Sequence, residues 1–373
     1  MTSWKTYKLG DVCSRLRSGK GIPASEVSAC GKFAVVGGNG VRGYTDKSNF
    51  NGQCVVVGRQ GAYCGNVRYF DGEFYMTEHA VVIVGNEYAD THFLAYLLSI
   101  MELGHLSAQS AQPGLSVQTL SKLEISLPPL EEQRRIAGIL GAIDDKIENN
   151  RRINTNLELQ AQALYKQWFV DFEFPNEEGK PYKSSGGKMV DSELGLIPEG
   201  WRAQTFGDLI KPQKGKNITR AQVTTGSVPV VAGGLMPSCY HNTSNTHCPV
   251  VTISASGANA GYVKMYHTPI WAADCSFIDD TISKYVHFAY VFLTYNQTSI
   301  YHKQQGCAQP HIYPSHLMEL QFICPTLNIL DIFESWCSNI YRQVGVNIQE
   351  NETLATLRDT LLPKVMKGEI ITK

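Results

Sequence analysis

The sequence predicts an α+β protein in which two similar strand-rich halves are joined by two long helices. Three observations lead to this prediction. The sequence repeats itself at a nearly constant offset, short β-branched and aromatic runs separated by Gly, Asn and Asp open each half, and a long segment with a seven-residue apolar register closes each half. With 373 residues, the chain is long enough for each half to bury its own core.

The internal repeat is the strongest of these signals. Trp4 and Trp201 lie 197 positions apart, and the same shift places Leu9-Gly10-Asp11 on Phe206-Gly207-Asp208. Further matches follow in the same order: Gly61-Ala62 with Gly257-Ala258, Gly65 and Val67 with Gly261 and Val263, His92-Phe93 with His287-Phe288, and Ala111-Gln112-Pro113 with Ala308-Gln309-Pro310. Chance similarity between two strand-rich stretches would not preserve this order.

The domain boundaries follow from local composition. Residues 1–129 and 199–326 are predicted to be strand-rich domains, because short apolar runs alternate with turn residues. A long helix is predicted at 130–171, after Pro129 and with acidic residues in its first turn, and a second at 327–371. The polar stretch 172–198 is rich in Gly, Ser, Pro, Glu and Lys, which predicts a mobile linker.

Both long helices carry the same apolar stripe, interrupted by asparagines. Its members are Ile143, Ile147, Asn150, Asn154, Leu157 and Leu164 in the first helix, and Ile340, Val344, Asn347, Asn351, Leu354 and Leu361 in the second. An asparagine in such a seam weakens packing but penalises wrong registers, because an unpaired buried amide is costly. The shared stripe predicts that the helices pair as a coiled coil; the alternative is that each helix only covers its own domain.

The distribution of charge favours a nucleic-acid partner, although the formal net charge is only −1. Residues 1–68 carry ten Lys and Arg against three acidic residues, and residues 202–270 carry six against one. Because phosphate neutralisation dominates affinity for DNA, a basic stretch at the same place in both halves indicates more than a solvated face. The ten cysteines lack disulfide or zinc spacing, and no segment has the apolar length of a signal or a membrane span, so we expect a cytoplasmic protein with reduced thiols.

Several motifs of known enzymes do not occur in the sequence. No phosphate-binding Gly-Lys-Ser/Thr, no Gly-x-Ser-x-Gly elbow, no His-Glu-x-x-His and no Asn/Asp-Pro-Pro-aromatic signature of amino-methyltransferases is present. A nuclease-like cluster of Asp274, Asp279, Asp280 and Lys284 is the alternative, but it lacks the usual acid-x-Lys spacing and has no equivalent in the first half. We therefore predict no catalytic residue and no metal site.

Four long segments resemble one family closely. The first two segments begin and end the first long helix with its lead-in: Leu127-Pro128-Pro129-Leu130-Glu131-Glu132-Gln133-Arg134-Arg135-Ile136 and Leu164-Tyr165-Lys166-Gln167-Trp168-Phe169. The third opens the second half and reads Ser192-Glu193-Leu194-Gly195-Leu196-Ile197-Pro198-Glu199-Gly200-Trp201. The fourth lies near the C-terminus and reads Leu357-Arg358-Asp359-Thr360-Leu361-Leu362-Pro363. These motifs are similar to those of the specificity subunits of type I restriction-modification systems. The second helix departs from the pattern, because Leu327-Asn328-Ile329-Leu330-Asp331 replaces the Glu-Glu-Gln-Arg-Arg-Ile text.

The resemblance implies a non-catalytic protein with two target-recognition domains that each read one half of a split sequence in double-stranded DNA. It implies that the two helices run antiparallel and relate the halves by a pseudo-twofold arrangement. Two adenine-methyltransferase subunits and a translocating endonuclease subunit are the implied partners. The chain itself is expected to hold no cofactor, since S-adenosylmethionine, ATP and magnesium would belong to those partners.

Candidate DNA contacts lie on loops, where side chains reach base edges or phosphates. The glycine loops at 57–67 and 253–263 contribute Arg59, Gln60, Tyr63, Ser256 and Asn259; the Gln-Pro loops contribute Gln112, Gln309 and His311; the basic lead-in contributes Arg15, Arg17, Lys20, Lys214, Lys216 and Arg220; Arg42, Tyr44, Tyr240 and His241 complete the set. The alternative for each loop is a structural turn. We expect structural roles for His92 and His287.

Three other functions remain open from the sequence. The chain could serve a related system in which methyltransferase and nuclease share one separate polypeptide, which the neighbouring genes would reveal. It could be an autonomous DNA enzyme with an unrecognised site, which would nick DNA alone. A coiled-coil adaptor without DNA contact is the third, and it leaves the repeated basic stretches unexplained.

Overall fold

The structure is a computed structural model that describes residues 4–107, 114–306 and 309–369. The chain forms two compact units: the first comprises Met1–Glu148 with Asn351–Lys373, and the second comprises Asn149–Glu350. The sequence-based boundaries treat each long helix as a domain of its own. In the structure both long helices are instead divided between the units, because each helix packs against strand-rich segments and against the other helix.

The α-helices include two that are much longer than the rest. In chain order they are α1 (Thr91–Ser99), α2 (Val117–Ser121), α3 (Leu130–Tyr165), α4 (Phe206–Leu209), α5 (Val286–Tyr295), α6 (Gln297–His302), α7 (Pro314–Met318) and α8 (Leu327–Met366). A π-helical turn at Lys166–Val170 continues α3 to within one residue of the predicted end. No described helix is long and apolar enough to cross a membrane, and the described cysteines are free thiols.

The first unit is built on a six-stranded sheet with the order β2-β7-β5-β6-β3-β4. Its strands are β1 (Lys5–Lys8), β2 (Cys13–Ser18), β3 (Phe33–Gly37), β4 (Gly40–Thr45), β5 (Phe50–Gly58), β6 (Val67–Met76), β7 (Ala80–Gly85) and β8 (Glu124–Leu127). Alternation along β5 places Val55 and Val57 in the core that includes α1, and Val56 in a second cluster on the opposite face. The central strands are therefore buried on both faces, which explains their continuous apolar text.

The second unit repeats this topology with shorter strands. They are β9 (Met189–Ser192), β10 (Gly195–Pro198), β11 (Arg202–Thr205), β12 (Gln213–Lys214), β13 (Val228–Val231), β14 (Cys239–His241), β15 (Val250–Ser254), β16 (Val263–Tyr266), β17 (Trp271–Ala272), β18 (Cys275–Ile278) and β19 (Gln321–Cys324). The order β12-β18-β15-β16 matches β2-β7-β5-β6, and β13 pairs with β14 and β17 as β3 pairs with β4 and the end of β6. The sequence repeat is thus a repeat of strand order.

The two long helices run antiparallel, as hydrogen bonds between their seam asparagines show. In the second unit the Asn347 side-chain amide donates to Asn154 Oδ1 at 2.7 Å, and the Asn154 amide donates to the Val344 carbonyl at 3.4 Å. In the first unit the equivalent Asn351 amide donates to the Ile147 carbonyl at 3.3 Å. All twelve seam residues are buried or half-buried, so the α+β fold class with paired helices is confirmed.

The start of each long helix is fixed to its strand-rich region by a different side chain. The Gln133 amide of α3 donates to the Tyr88 carbonyl at 2.9 Å and accepts from the Asp90 amide at 2.9 Å. In α8, the Glu334 carboxylate accepts three hydrogen bonds, from the main-chain amide of His287, from Nδ1 of the His287 ring and from the main-chain amide of Phe288. The helix α8, which lacks the Glu-Glu-Gln-Arg-Arg-Ile sequence, is therefore anchored by Glu334 instead of by an equivalent of Gln133.

The predicted mobile linker at 172–198 contains regular structure. Strands β9 and β10 form an antiparallel hairpin with Ile197 paired to Val190. Phe172, Phe174 and Ile197 are buried in the main core cluster of the second unit, where Phe174 stacks on Trp201. The composition suggested a flexible segment because polar and glycine residues are numerous there, but three apolar side chains are enough to hold it against the core.

Candidate nucleic-acid interface

Each unit places a tight glycine loop after its central strand. In the first-unit glycine loop (residues 58–66), the Gly58 amide donates to the Asn66 carbonyl and the Gly65 amide to the Gly58 carbonyl, both at 2.8 Å. The second-unit glycine loop (residues 254–262) has the equivalent bonds, from Ser254 to Tyr262 at 3.0 Å and from Gly261 to Ser254 at 2.8 Å. Gly65 and Gly261 both have φ of +83°, a conformation that side chains rarely adopt, so these glycines are required by the turn.

In both units the glycine loop is bridged to the segment that follows the Gln-Pro motif. The Leu115 amide donates to the Arg59 carbonyl at 2.8 Å, and the Ile312 amide donates to the Ala255 carbonyl at 2.9 Å. Gln60 and Gly114 form an isolated β-bridge, as do Ser256 and His311. Two candidate segments that lie some 50 positions apart in the sequence therefore form one surface. Gln112 itself lies outside the described residues, whereas Gln309 is described and exposed.

The first-unit loop presents mixed polar groups to solvent. The Gln60 side-chain oxygen lies 3.1 Å from Nδ1 of His79, an arrangement that orients the amide. Tyr63 is 54% exposed, and the Arg59 guanidinium is 3.5 Å from the Ser18 hydroxyl at the end of β2. The tip of the β3–β4 hairpin also reaches this loop, since a Cβ at Gly38 would lie 3.0 Å from Gly58 Cα.

That hairpin tip carries a Gly-x-Gly-x-x-Gly pattern at Gly38, Gly40 and Gly43. A dinucleotide-binding loop leads from a strand into the N-terminus of a helix, where the main-chain amides bind pyrophosphate. Here the pattern leads from β3 into the antiparallel strand β4. It therefore forms a hairpin turn and not a nucleotide-binding loop.

Two glutamines that the sequence analysis missed hold the second-unit loop in place. The Gln297 amide donates to the Gly261 carbonyl at 2.7 Å, and its oxygen accepts from the Val263 amide at 3.1 Å. The Gln304 amide donates to the Ala260 carbonyl at 2.8 Å. Within the loop, the Ser256 hydroxyl donates to the Asp274 carboxylate, and Asn259 is half-exposed. No sequence pattern marks such glutamines, because their partners are main-chain groups of a distant segment.

The basic lead-in residues do not share one environment. Arg17, Lys20, Lys214, Lys216 and Arg220 are exposed. The Arg15 guanidinium instead lies 4.9 Å from the centre of the Phe50 ring, and its partial burial lowers the pKa of the side chain. Arg15 therefore packs on the sheet as a cation–π partner, which argues against its predicted phosphate contact.

The candidate residues on the strands β4 and β14 differ in their exposure to solvent. Arg42 and Tyr44 on β4 and Tyr240 on β14 are exposed. His241 is only 6% exposed, its Nδ1 accepts from the Thr224 amide at 3.0 Å, and its ring packs edge-on against Trp271. His241 is thus a core residue, and its predicted DNA contact is corrected.

His92 and Asp279, two further residues considered from the sequence, have structural partners. His92 stacks between Tyr69 and Tyr96, and Asp279 accepts from the amides of His247 and Thr281. Among the residues that the structure describes, no group of three or more His, Cys, Asp or Glu is placed to hold a metal ion.

Comparisons with known proteins agree with this arrangement. A family model described as the type I restriction modification DNA specificity domain matches residues 1–159. The type I restriction enzyme EcoprrI specificity subunit of Escherichia coli is 37% identical over 144 residues, which are 38% of this chain and 36% of that protein. The chain therefore matches only about a third of that relative's length. The MjaIX specificity subunit of Methanocaldococcus jannaschii is 27% identical over 307 residues, covering 75% of this chain and 69% of the relative.

One solved structure has a similar fold over nearly the whole chain. It is the crystal structure of the type I restriction-modification system S subunit from M. genitalium, with a TM-score of 0.66 and 19% sequence identity. The likeness covers 97% of this chain and 96% of that one. At this identity it shows that the fold is shared.

Proposed function

We propose that the chain is a specificity subunit of a type I restriction-modification system and that each of its two glycine loops reads one half of a split double-stranded DNA sequence. The observation that carries the proposal is the pairing of each glycine loop with the segment after the Gln-Pro motif, repeated in both units. Such a surface combines a hydrogen-bonded main chain with exposed or half-buried polar side chains, which base-edge recognition requires.

The two loops share a backbone and differ in side chains. Arg59, Gln60 and Tyr63 in the first unit stand where the second unit has Ala255, Ser256 and Asn259. A common frame with different donors and acceptors is what reading two different half-sites demands, since each base pair presents its own pattern in the major groove. The exposed Arg17, Lys20, Lys214, Lys216 and Arg220 are assigned to phosphates, which position the protein but carry no sequence information.

The long helices are assigned to protein partners. Ile139 of α3 and Trp336 of α8 occupy equivalent positions of the repeat and are 43% and 58% exposed. Large apolar side chains at such exposure favour protein contacts, and the equivalent positions favour two copies of one partner. We assign these partners as two adenine-methyltransferase subunits, joined by an endonuclease-translocase subunit, with S-adenosylmethionine, ATP and magnesium bound there and not by this chain.

A methylome tests this function. The gene would be expressed with its neighbouring methyltransferase gene in a host without DNA methylation, and modified adenines would be mapped by single-molecule sequencing. We expect a split motif with one methylated adenine in each half, and we expect replacement of residues 1–129 by those of a relative to change one half only. A complex that co-purifies but leaves the DNA unmodified, or a motif without two halves, would contradict the proposal.

A further inference from the structure

An open concavity of about 630 Å³ lies beside the first-unit glycine loop. The loop forms one wall through Tyr63 and Asn66, and the turn that follows α1 forms another through Glu102 and His105. The polar lining is completed by Asn39, at the tip of the β3–β4 hairpin, and by Arg68, the second residue of β6. The concavity thus adjoins the glycine loop and the β3–β4 hairpin tip of the candidate interface, and four of these six residues lie outside the segments singled out from sequence.

Beside the concavity, the two repeats differ in one side chain. Gly104 corresponds to Tyr301 under the 197-residue shift, as the fully buried Leu103 corresponds to Ile300. In the first unit the main chain of Gly104 approaches the loop so closely that a Cβ at Gly65 would lie 2.3 Å from the Gly104 nitrogen. In the second unit the side chains of Ile300 and Tyr301 lie against the equivalent glycine, Gly261. In that unit the Gln304 side-chain amide also donates a hydrogen bond to the Ala260 carbonyl.

The charged residues of the concavity also differ between the repeats. Lys264, the equivalent of Arg68, has partners within the protein: its ammonium donates to the Leu235 carbonyl at 3.1 Å and lies over the Tyr266 ring. Arg68 is exposed and makes no side-chain hydrogen bond or ion pair with another residue that the structure describes. The same holds for the carboxylate of Glu102, whose own backbone adopts the left-handed conformation with φ of +47°. Residues other than glycine adopt this conformation at a cost, and such positions often belong to functional sites.

The mixed charge of this lining selects among the chemical groups of DNA. A phosphate would be attracted by Arg68 but repelled by Glu102, so a phosphate site would not combine the two. Base edges present both acceptors and donors: a guanidinium pairs with O6 and N7 of guanine, and a carboxylate accepts from the amino group of cytosine. Arg68 and Glu102 together therefore match a G·C pair.

We propose that this concavity reads a G·C base pair of the half-site that the first unit recognises, with Arg68 bound to the guanine edge and Glu102 to the cytosine amino group. This inference rests on the proposed DNA-reading function and adds specificity-determining residues to it. In the second unit, Tyr301 and Gln304 lie against the equivalent loop, at Gly261 and at the Ala260 carbonyl.

Selection from a random pool of double-stranded DNA tests the inference. The full-length chain, alone and with its methyltransferase subunit, would be incubated with the pool, and the bound DNA would be sequenced for the wild type and for Arg68→Met, Glu102→Gln and Gly104→Tyr. The last variant places in the concavity the side chain that the second repeat carries there. Its Cβ would lie 3.2 Å from the Cys64 carbonyl, which needs only a small adjustment. Lys47→Met is the matched control, because Lys47 is an exposed cation of the same unit that pairs with Glu26.

We expect each of the three variants to lose roughly tenfold or more of the preference for one G·C pair in one half of the motif, with the other half unchanged. Lys47→Met should retain the complete motif. Circular dichroism melting would show that the variants are folded, and if Gly104→Tyr unfolds, the two polar variants decide alone. An unchanged motif, or an equal loss in both halves, would overturn the assignment. A wild-type protein that enriches no split motif would reject the proposed function itself, which is a separate outcome.

Discussion

Replacing Gln297 by alanine should loosen the second-unit glycine loop without unfolding the unit. The side chain makes two hydrogen bonds to the loop main chain, at 2.7 Å to the Gly261 carbonyl and at 3.1 Å from the Val263 amide. A net contribution of about 1 kcal/mol for each bond gives about 2 kcal/mol. This corresponds to roughly thirtyfold more frequent opening of the loop, because 1.4 kcal/mol is a factor of ten.

Hydrogen–deuterium exchange of the full-length chain measures this effect directly. We expect amides of residues 254–263 to exchange roughly thirtyfold faster in Gln297→Ala, while the first-unit glycine loop serves as the internal reference. Gln222→Ala is the matched control, because Gln222 also accepts two hydrogen bonds, from the Thr219 amide and hydroxyl, but on an exposed turn. If the loop amides of Gln297→Ala exchange at the wild-type rate, the two hydrogen bonds do not hold the loop and the reasoning fails.

Two further predictions concern stability of the second unit. Glu334→Ala removes the acceptor of three hydrogen bonds at the start of α5, so the free energy of unfolding measured in urea should fall by about 3 kcal/mol. Asp331→Ala is the control, because it breaks only the exposed ion pair with Lys284 and should cost under about 1 kcal/mol. Equal losses of stability in the two variants would contradict this difference. Burial lowers the pKa of His267 to about 4, so the unfolded chain binds a proton between pH 6.5 and 4 that the folded chain does not. Stability should therefore fall as the pH falls through this window, and His267→Gln should reduce the fall measured between pH 7 and pH 4.5; an identical pH profile for the variant would refute this assignment.

The candidate interface was only partly visible in the sequence. The glycine loops could be located because a turn with φ of +83° requires glycine in both repeats. Arg68, Glu102 and Gln297 escaped notice because a single polar residue on a strand, turn or short helix forms no pattern. His241 was misassigned for a related reason. Alternation along an edge strand does not reveal which face packs against Trp271.

The sequence by itself determined the repeat and the α+β class, together with a family resemblance that implies the antiparallel helix pair. Repeats and seven-residue stripes are periodic, and periodicity survives in one dimension. Only the tertiary structure decided that the segment 172–198 packs on the core, that a concavity lies beside Gly104 in the first unit, and that each glycine loop meets the segment after the Gln-Pro motif. These outcomes depend on which side chains from distant parts of the chain occupy the same volume, because interiors are close-packed and a single missing or added side chain changes what fits.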